Sequence, residues 1–276
     1  MRRKVLYKYF PNDEFFYRDR MVRISPRSAL NDPFEIRPSL EALSKYAKAH
    51  LKESLSKEEM KKFLNSNYEN MFRIHGGAPV FNNYGVFCLS ETRTNLLMWS
   101  HYANSHKGMV VGFDVTHPIF NQKLGSAENH YGIEVGGIHR VMYSNYRATE
   151  SVDATDWYLL KSDEWIYEKE HRLVLPLTQC DKVIRKSVGG ENEVELTKRE
   201  EISKTENLGH PQHICLLQIP LNAVCSVTFG AEMEQSTRFG IKAYFSNTDQ
   251  KMRHPDFCFE LAAISNSRFE LEIHNG

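Results

Sequence analysis

Glu168-Lys169-Glu170-His171-Arg172-Leu173-Val174-Leu175-Pro176-Leu177 reads as a strand from Glu170 to Leu177, closed by Pro176 and opened by two carboxylates. Side chains alternate along a strand, so Glu168 and Glu170, two residues apart, are expected on one face. Like charges so placed repel. That cost makes sense where the pair faces a cation, an oxocarbenium-like transition state or a hydroxyl nucleophile, or where one member is protonated. The plainer reading is two solvated carboxylates on a strand edge, paired with Lys169 or Arg172.

Upstream, Asp153 or Asp156 caps a helix through Lys161, and His139 to Tyr143 is a strand preceded by a polar stretch, Thr116 to Gly137. Met109 to Val115 and Tyr84 to Ser90 are further strands. Between them Thr94 or Asn95 starts a helix holding Leu96, Leu97, Met98, Trp99 and Tyr102. Ser39 to Ile74 has apolar residues at helical spacing, and Ser56 with Glu59 forms a capping box that divides it in two, with His75-Gly76-Gly77 at the end. Asn31-Asp32-Pro33-Phe34-Glu35 is a turn carrying two carboxylates. Met21 to Ser25 is a short strand, Asn12 caps a short helix, and Val5-Leu6-Tyr7-Lys8-Tyr9-Phe10 is the first strand.

Downstream, Gly189 to Glu206 reads as an exposed excursion. Ile214 to Ile219, Ala223 to Phe229, Phe257 to Ile264 and Arg268 to Ile273 read as strands, with a helix between Glu232 and Tyr244. Strands outnumber βαβ repeats, so the class is α+β with mixed, mainly antiparallel sheets. The expected organisation is a single domain over 1–276, with a helical insertion at 39–76 and a β-rich part from 180 onwards.

With 35 basic and 35 acidic side chains among 276 residues, a bulk field that attracts nucleic acid or membrane is disfavoured and partners must be read from local patches. Apolar content of 41% with 25% charged residues is that of a globular chain, not a disordered one. No apolar run approaches a membrane span, and Lys8, Asp13 and Glu14 interrupt the apolar core that a signal peptide would need, so a cytoplasmic protein is expected. Five cysteines without a CxxC pair argue for reduced thiols and against a zinc knuckle. Basic residues crowd Met1 to Leu30, where Arg18, Arg20, Arg23 and Arg27 are candidates to grip phosphates, while acidic ones dominate Ala127 to Glu170.

No Gly-rich phosphate loop and no Gly-x-Ser-x-Gly elbow is present, which removes kinase, GTPase and α/β-hydrolase readings. Trp99 and Tyr102, three apart, are expected to share a helix face that either stacks a planar ring, with Ser100 holding its amide, or is plain core. His101 and His106 are five apart, a spacing that does not suit one metal. Asp32, Glu35, Asp114 and Glu170 are imaginable as a magnesium nuclease centre, but the orienting acid-x-lysine pattern is missing, so no metal is expected.

Leu6-Tyr7-Lys8-Tyr9, Asn31-Asp32-Pro33-Phe34-Glu35, Leu89-Ser90, Leu97-Met98-Trp99-Ser100-His101-Tyr102-Ala103, and Trp165 with Tyr167-Glu168-Lys169-Glu170-His171-Arg172 resemble the bacterial domain-of-unknown-function family 2971. More distantly, the order of elements is similar to the ADP-ribosyltransferase fold: a first strand with a cation, a strand and helix ending in an aromatic, and a late strand opened by glutamate. That resemblance implies an enzyme cleaving the N-glycosidic bond of NAD or a related nucleotide. The ribosyl unit would pass to a protein, a nucleic acid or water, a chemistry that fits toxin or phage-defence roles. It places Lys8 at the ribose, Tyr102 on the nicotinamide, Ser100 at its amide, Glu170 at the ribose hydroxyl and Glu168 at the acceptor. Trp99, His101 and Asn31 are further cofactor-binding candidates. Lys8 departs from the usual histidine or arginine, because a flexible ammonium copies neither an imidazole nor a guanidinium fork. The alternatives are a non-catalytic nucleotide- or protein-binding module of the same fold, or a metal-dependent nuclease.

Overall fold

The computed structural model describes residues 4–11, 14–50, 56–65, 82–121, 136–147, 154–186, 193–205, 207–247 and 252–276. Its strands are β1 (Val5–Phe10), β2 (Met21–Arg23), β3 (Ser25–Pro26), β4 (Tyr84–Ser90), β5 (Met109–Asp114), β6 (Ile138–Arg140), β7 (Met142–Tyr143) and β8 (Leu160–Lys161). They continue with β9 (Glu170–Pro176), β10 (Lys182–Lys186), β11 (Glu193–Leu196), β12 (His213–Gln218), β13 (Val224–Phe229), β14 (Cys258–Ile264) and β15 (Leu271–Asn275). The helices are α1 (Glu14–Asp19), α2 (Leu40–His50), α3 (Lys57–Asn65), α4 (Leu96–Tyr102), α5 (Ala154–Leu159), α6 (Arg199–Ser203) and α7 (Gln235–Ser246). The class is α+β, and most strand pairs are antiparallel. Among the described residues no helix is long and apolar enough to cross a membrane.

The main sheet runs β15-β14-β13-β5-β1-β4-β9-β6, with β3 also on β4, and among the described residues only β13 and β14 within it are parallel, joined across α7. A smaller sheet runs β11-β10-β12-β2. Strand alternation divides the main sheet into unlike faces. Leu6, Phe10, Phe87, Leu89, Val111, Phe113, Leu173 and Leu175 form one apolar surface, which packs with Val22, Val183, Cys215 and Leu217 of the smaller sheet and with Phe16 and Phe245. Tyr7, Cys88, Ser90, Glu170, Arg172 and Thr228 lie on the other face, in registered rows such as Ser90 opposite Glu170 and Cys88 opposite Arg172. Over that face α4 seats Met98 and Trp99 against Tyr9 and Val110.

Local chemistry explains the elements whose ends match the sequence reading. Asn95 accepts from Met98 N at the start of α4, and Ser56 and Glu59 exchange hydrogen bonds at α3. Asp32 accepts from Phe34 N in the expected turn.

Elsewhere the strands are shorter or divided. Met21 to Ser25 splits because the chain changes sheets at Ile24, β2 pairing with β12 and β3 with β4. His139 to Tyr143 splits at Val141, whose N–H goes to Glu170 O, so β6 joins β9 while β7 pairs in parallel with β8. The helix expected through Lys161 ends at Leu159, since Leu160 and Lys161 turn into β8. β10 was not expected. It forms because Val183 and Ile184 are buried between β11 and β12. The excursion after Gly189 holds β11 and α6, and the last strand starts at Leu271 rather than Arg268. Asn12, His75-Gly76-Gly77, Asp153 and most of the stretch between Thr116 and Gly137 lie outside the described residues.

Candidate functional site

β1 and β4 share a single register pair, Tyr7 opposite Ser90, and a cavity of about 400 Å³ opens there on the polar side. That volume lies within the roughly 300–1,000 Å³ typical of small-molecule sites. Lys8, Asn31, His101, Tyr102, Glu168 and Glu170 all line it, together with Glu35, Cys88, Ser90, Lys161 and Arg172.

The floor is a buried ionic cluster. Arg172 emerges from β9 on the same face as Glu170 and grips it with a two-pronged contact, Nε to Oε1 at 2.8 Å and Nη2 to Oε2 at 2.9 Å. Nη2 also pairs with Glu35, and Nη1 donates to the Tyr158 carbonyl at 2.8 Å. Lys161 reaches in from β8, donates hydrogen bonds to Glu168 at 2.6 Å and Glu170 at 3.2 Å, and forms an ion pair with Glu35 at 3.3 Å. Tyr102 O–H donates to Glu168 Oε1 at 2.6 Å and accepts from Asn31 Nδ2 at 3.0 Å. Glu170 N–H donates to Tyr143 OH at 2.8 Å.

Glu168 and Glu170 do not stand on one strand as expected. Glu168 ends a 3₁₀ turn (Asp163–Glu168), and Lys169 is left-handed at φ 46°, a conformation costly for a side chain with a Cβ. The turn sends Lys169 to solvent and brings both carboxylates inward. Ser90 Oγ fixes it by donating to the Glu168 carbonyl at 2.6 Å.

Three carboxylates (Glu35, Glu168, Glu170) face two cations (Lys161, Arg172), so one acid is in excess. Burial alone would raise Glu170, but Arg172 and Lys161 outweigh it and hold its carboxyl at about 2. Glu168 is the odd acid. Burial raises it above the usual carboxylate range, and the neighbouring charge of Glu170 adds to that against the opposing pull of Lys161. Burial would lower Lys161, yet Glu170 and Glu35 keep it firmly protonated. Burial, then the charge of Glu168, keeps the Tyr102 phenol protonated. The Cys88 thiol is likewise pushed up by burial, which makes it a poor nucleophile.

Lys8 is the remaining cation. It is half-buried, its Nζ donates to the Cys88 carbonyl at 3.3 Å and lies 5.1 Å from the Phe87 ring, and no carboxylate pairs with it among the described residues. An ammonium so placed is suited to an incoming anion.

Two expected residues stand elsewhere. Trp99 is fully buried: its Nε1 donates to the Arg93 carbonyl, and its ring meets Tyr9 edge-on at 5.5 Å and stacks on His106 at 6.1 Å. Residues three apart on a helix differ by about 60° in direction, enough to send Trp99 to the core while Tyr102 borders the cavity. Ser100 is exposed on the outer side of α4 and does not line the cavity. The imagined nuclease carboxylates are dispersed. Asp114 is held by Thr116 and faces His254 at 3.4 Å, Asp32 closes its own turn, and Glu35 and Glu170 are engaged by Arg172. Among the described residues no three His, Cys, Asp or Glu side chains gather where a metal could sit.

The sequence reading gave no role to Lys161 and treated Arg172 as a surface partner. The available signal was charge inside apolar text: Lys161 after Leu159-Leu160, and Arg172 two positions from Glu170 ahead of Leu173-Val174-Leu175.

Residues 98–173 match the model of the family described as Protein of unknown function (DUF2971), and that segment carries Tyr102, Lys161, Glu168, Glu170 and Arg172. No curated protein and no solved structure matches the chain.

Proposed function

We propose that this chain is an enzyme that cleaves the N-glycosidic bond of NAD or a related nucleotide, with Glu168 as the reacting carboxylate. The observation that carries the reading is the unbalanced charge of the cluster. Glu168 is the one acid in excess of its cations, and it borders a ligand-sized cavity with Tyr102 on one side and Lys8 lining the same space. The order of elements, similar to the ADP-ribosyltransferase fold, supports it. Glu170, assigned the central role by that resemblance, is saturated by Arg172 and Lys161 and acts as a positioning residue.

In this reading Lys8 holds a phosphate of the nucleotide, and the ribose carbon bearing nicotinamide faces Glu168. The carbon–nitrogen bond breaks with its electron pair leaving on nicotinamide, and the carboxylate stabilises the positive charge left on the sugar. A hydroxyl or water oxygen then bonds to that carbon, and its proton passes to Glu168, whose raised pKa suits it to accept. Asn31 and Tyr102 fix the orientation of the carboxylate, and His101 borders the entrance.

The test is nicotinamide release, or ribosyl labelling of added protein and nucleic acid, by purified chain. Release or labelling that is lost in Glu168→Gln supports the proposal; absence of both, at micromolar enzyme, overturns it. A second reading, a nucleotide-binding module without catalysis, is favoured by the mutual saturation of Glu170, Arg172 and Lys161. It holds if NAD binds by calorimetry, survives intact and binds Glu168→Gln equally well.

A further inference from the structure

A second cavity, of about 230 Å³, shares Glu35 and Lys161 with the first; Asp32, Phe34, Arg37, Tyr146, Arg147 and Trp157 are among its lining residues. Asp32 is only 5% exposed. Its Oδ1 accepts from Phe34 N at 2.8 Å, whereas Oδ2, also buried, has no hydrogen-bond donor among the described residues. A buried carboxylate oxygen without a donor carries a desolvation cost that a ligand N–H would relieve.

The surroundings narrow that donor. Arg37, Arg147 and Lys161 make the cavity unfriendly to an ammonium or guanidinium, so the donor is a neutral N–H. Phe34 and Tyr146 are 57% and 83% exposed; the Arg147 guanidinium lies 5.0 Å from the Phe34 ring, and the remaining ring surface is open to a planar partner. The volume is below the roughly 300 Å³ of the smallest drug-sized sites, which limits the buried part to one ring system. The two arginines suit a phosphate left outside it.

We infer that this second cavity binds the amino-bearing base of a mononucleotide, with Asp32 Oδ2 accepting from the exocyclic amine and Phe34 and Tyr146 flanking the ring. The site does not depend on glycosidic cleavage, because Asp32 and Phe34 line only the second cavity and Lys8 lines only the first.

The test is calorimetric titration of the full chain with AMP, CMP and GMP, and with purine riboside 5′-monophosphate, which lacks the exocyclic amine. AMP is expected to bind about tenfold more tightly than purine riboside monophosphate, the scale of one hydrogen bond to a charged group. Asp32→Asn keeps the oxygen that closes the turn but replaces Oδ2 with a donor, so it is expected to abolish or reverse that preference. Phe34→Ala, at an exposed position, is expected to weaken AMP about tenfold with an unchanged unfolding midpoint. Lys8→Met is expected to leave this binding intact. The inference is overturned if none of the three amino-bearing nucleotides binds at about 1 mM, or if AMP and purine riboside monophosphate bind the natural chain alike. It is equally overturned if Asp32→Asn retains the preference, or if binding is lost in Lys8→Met and kept in Asp32→Asn, which assigns it to the first cavity.

Discussion

The 3₁₀ turn ending at Glu168 and the strand starting at Glu170 are separated by one residue, yet they place identical side chains in opposite electrostatic situations. Glu170 leaves the first position of β9 between a guanidinium fork and an ammonium, and its carboxyl is held at about 2 although it is almost wholly buried. Glu168, delivered by the left-handed Lys169, shares its ammonium with two other acids and has a phenol in place of a second cation, and its pKa goes up. A buried carboxylate is fixed or reactive according to how many cations reach it: two for Glu170 and one for Glu168. The strand supplies a rigid anchor and the turn supplies the adjustable acid.

The sharpest way to break this contrast is to remove the anchor's partner. Arg172→Met leaves Glu170 and Glu35 buried with only Lys161 between them, and uncompensated buried charge of this kind costs about 3–5 kcal/mol. Urea unfolding followed by circular dichroism is expected to show a loss of that size, and a smaller one in Glu170→Gln, where Arg172 still pairs with Glu35. A loss under about 1 kcal/mol would mean that the cluster is not the keystone of the polar face.

Acid titration separates the two carboxylates by sign. Glu170 is depressed in the folded chain, so its contribution is complete above the unfolded value, about 4.3, and is lost as pH falls from there through about 2. Its scale is on the order of 3 kcal/mol. Glu168 is raised, so the folded chain binds its proton first, and stability falls as pH rises from about 4.3 through its higher folded value. Unfolding free energy is therefore expected to rise slightly and then drop as acid is added. Glu168→Gln should erase the rise, and Glu170→Gln should erase the drop and shrink the rise, since the charge of Glu170 is one of its causes. Both phases surviving in both variants would dissolve the contrast.

The next effect is on chemistry. Glu168→Gln makes the cluster neutral, with two carboxylates against two cations, and is expected to change stability by under about 1 kcal/mol. It is expected to cut nicotinamide release by about 100-fold or more, the usual scale for a removed acid–base group. A variant that unfolds more readily than Arg172→Met would show that Glu168 is structural.

Much of this contrast was out of reach of the sequence, and particular residues show why. β1, β4 and the capped start of α4 are written in local chemistry: branched and aromatic runs, and an asparagine three residues before a helical N–H. β10 escaped because Val183 and Ile184 sit among three basic residues, which hides the alternation on which a strand reading depends. Lys8, Asn31, His101, Tyr102, Glu168 and Glu170 could be collected from motifs, whereas Trp99 and Ser100 were grouped with Tyr102 by helical spacing, which cannot tell the sheet-facing side from the cavity edge. One of the two carboxylates that pair with Arg172 is Glu35, 137 residues away, and nothing local announces a pairing over that distance. Lys169 in the left-handed region is equally silent, since a lysine in that position is uncommon.

The smallest expected effect tests the adjustable acid alone. Tyr102→Phe removes one O–H and keeps the ring, so Asn31 loses an acceptor and Glu168 loses a donor while Lys161 remains. The stability change is expected to be about 1 kcal/mol, the net scale of a single hydrogen bond. The informative readout is the pH profile. That hydrogen bond favours the charged form of Glu168 against the burial that raises it, so its removal moves the carboxyl further up. Cleavage requires the ionised form, and the ascending limb of nicotinamide release should therefore shift to higher pH, with the plateau at high pH approached by both proteins. A profile that keeps its midpoint and simply loses height would assign Tyr102 to substrate contact, and the ionisation that controls the reaction would have to be sought in a group other than Glu168.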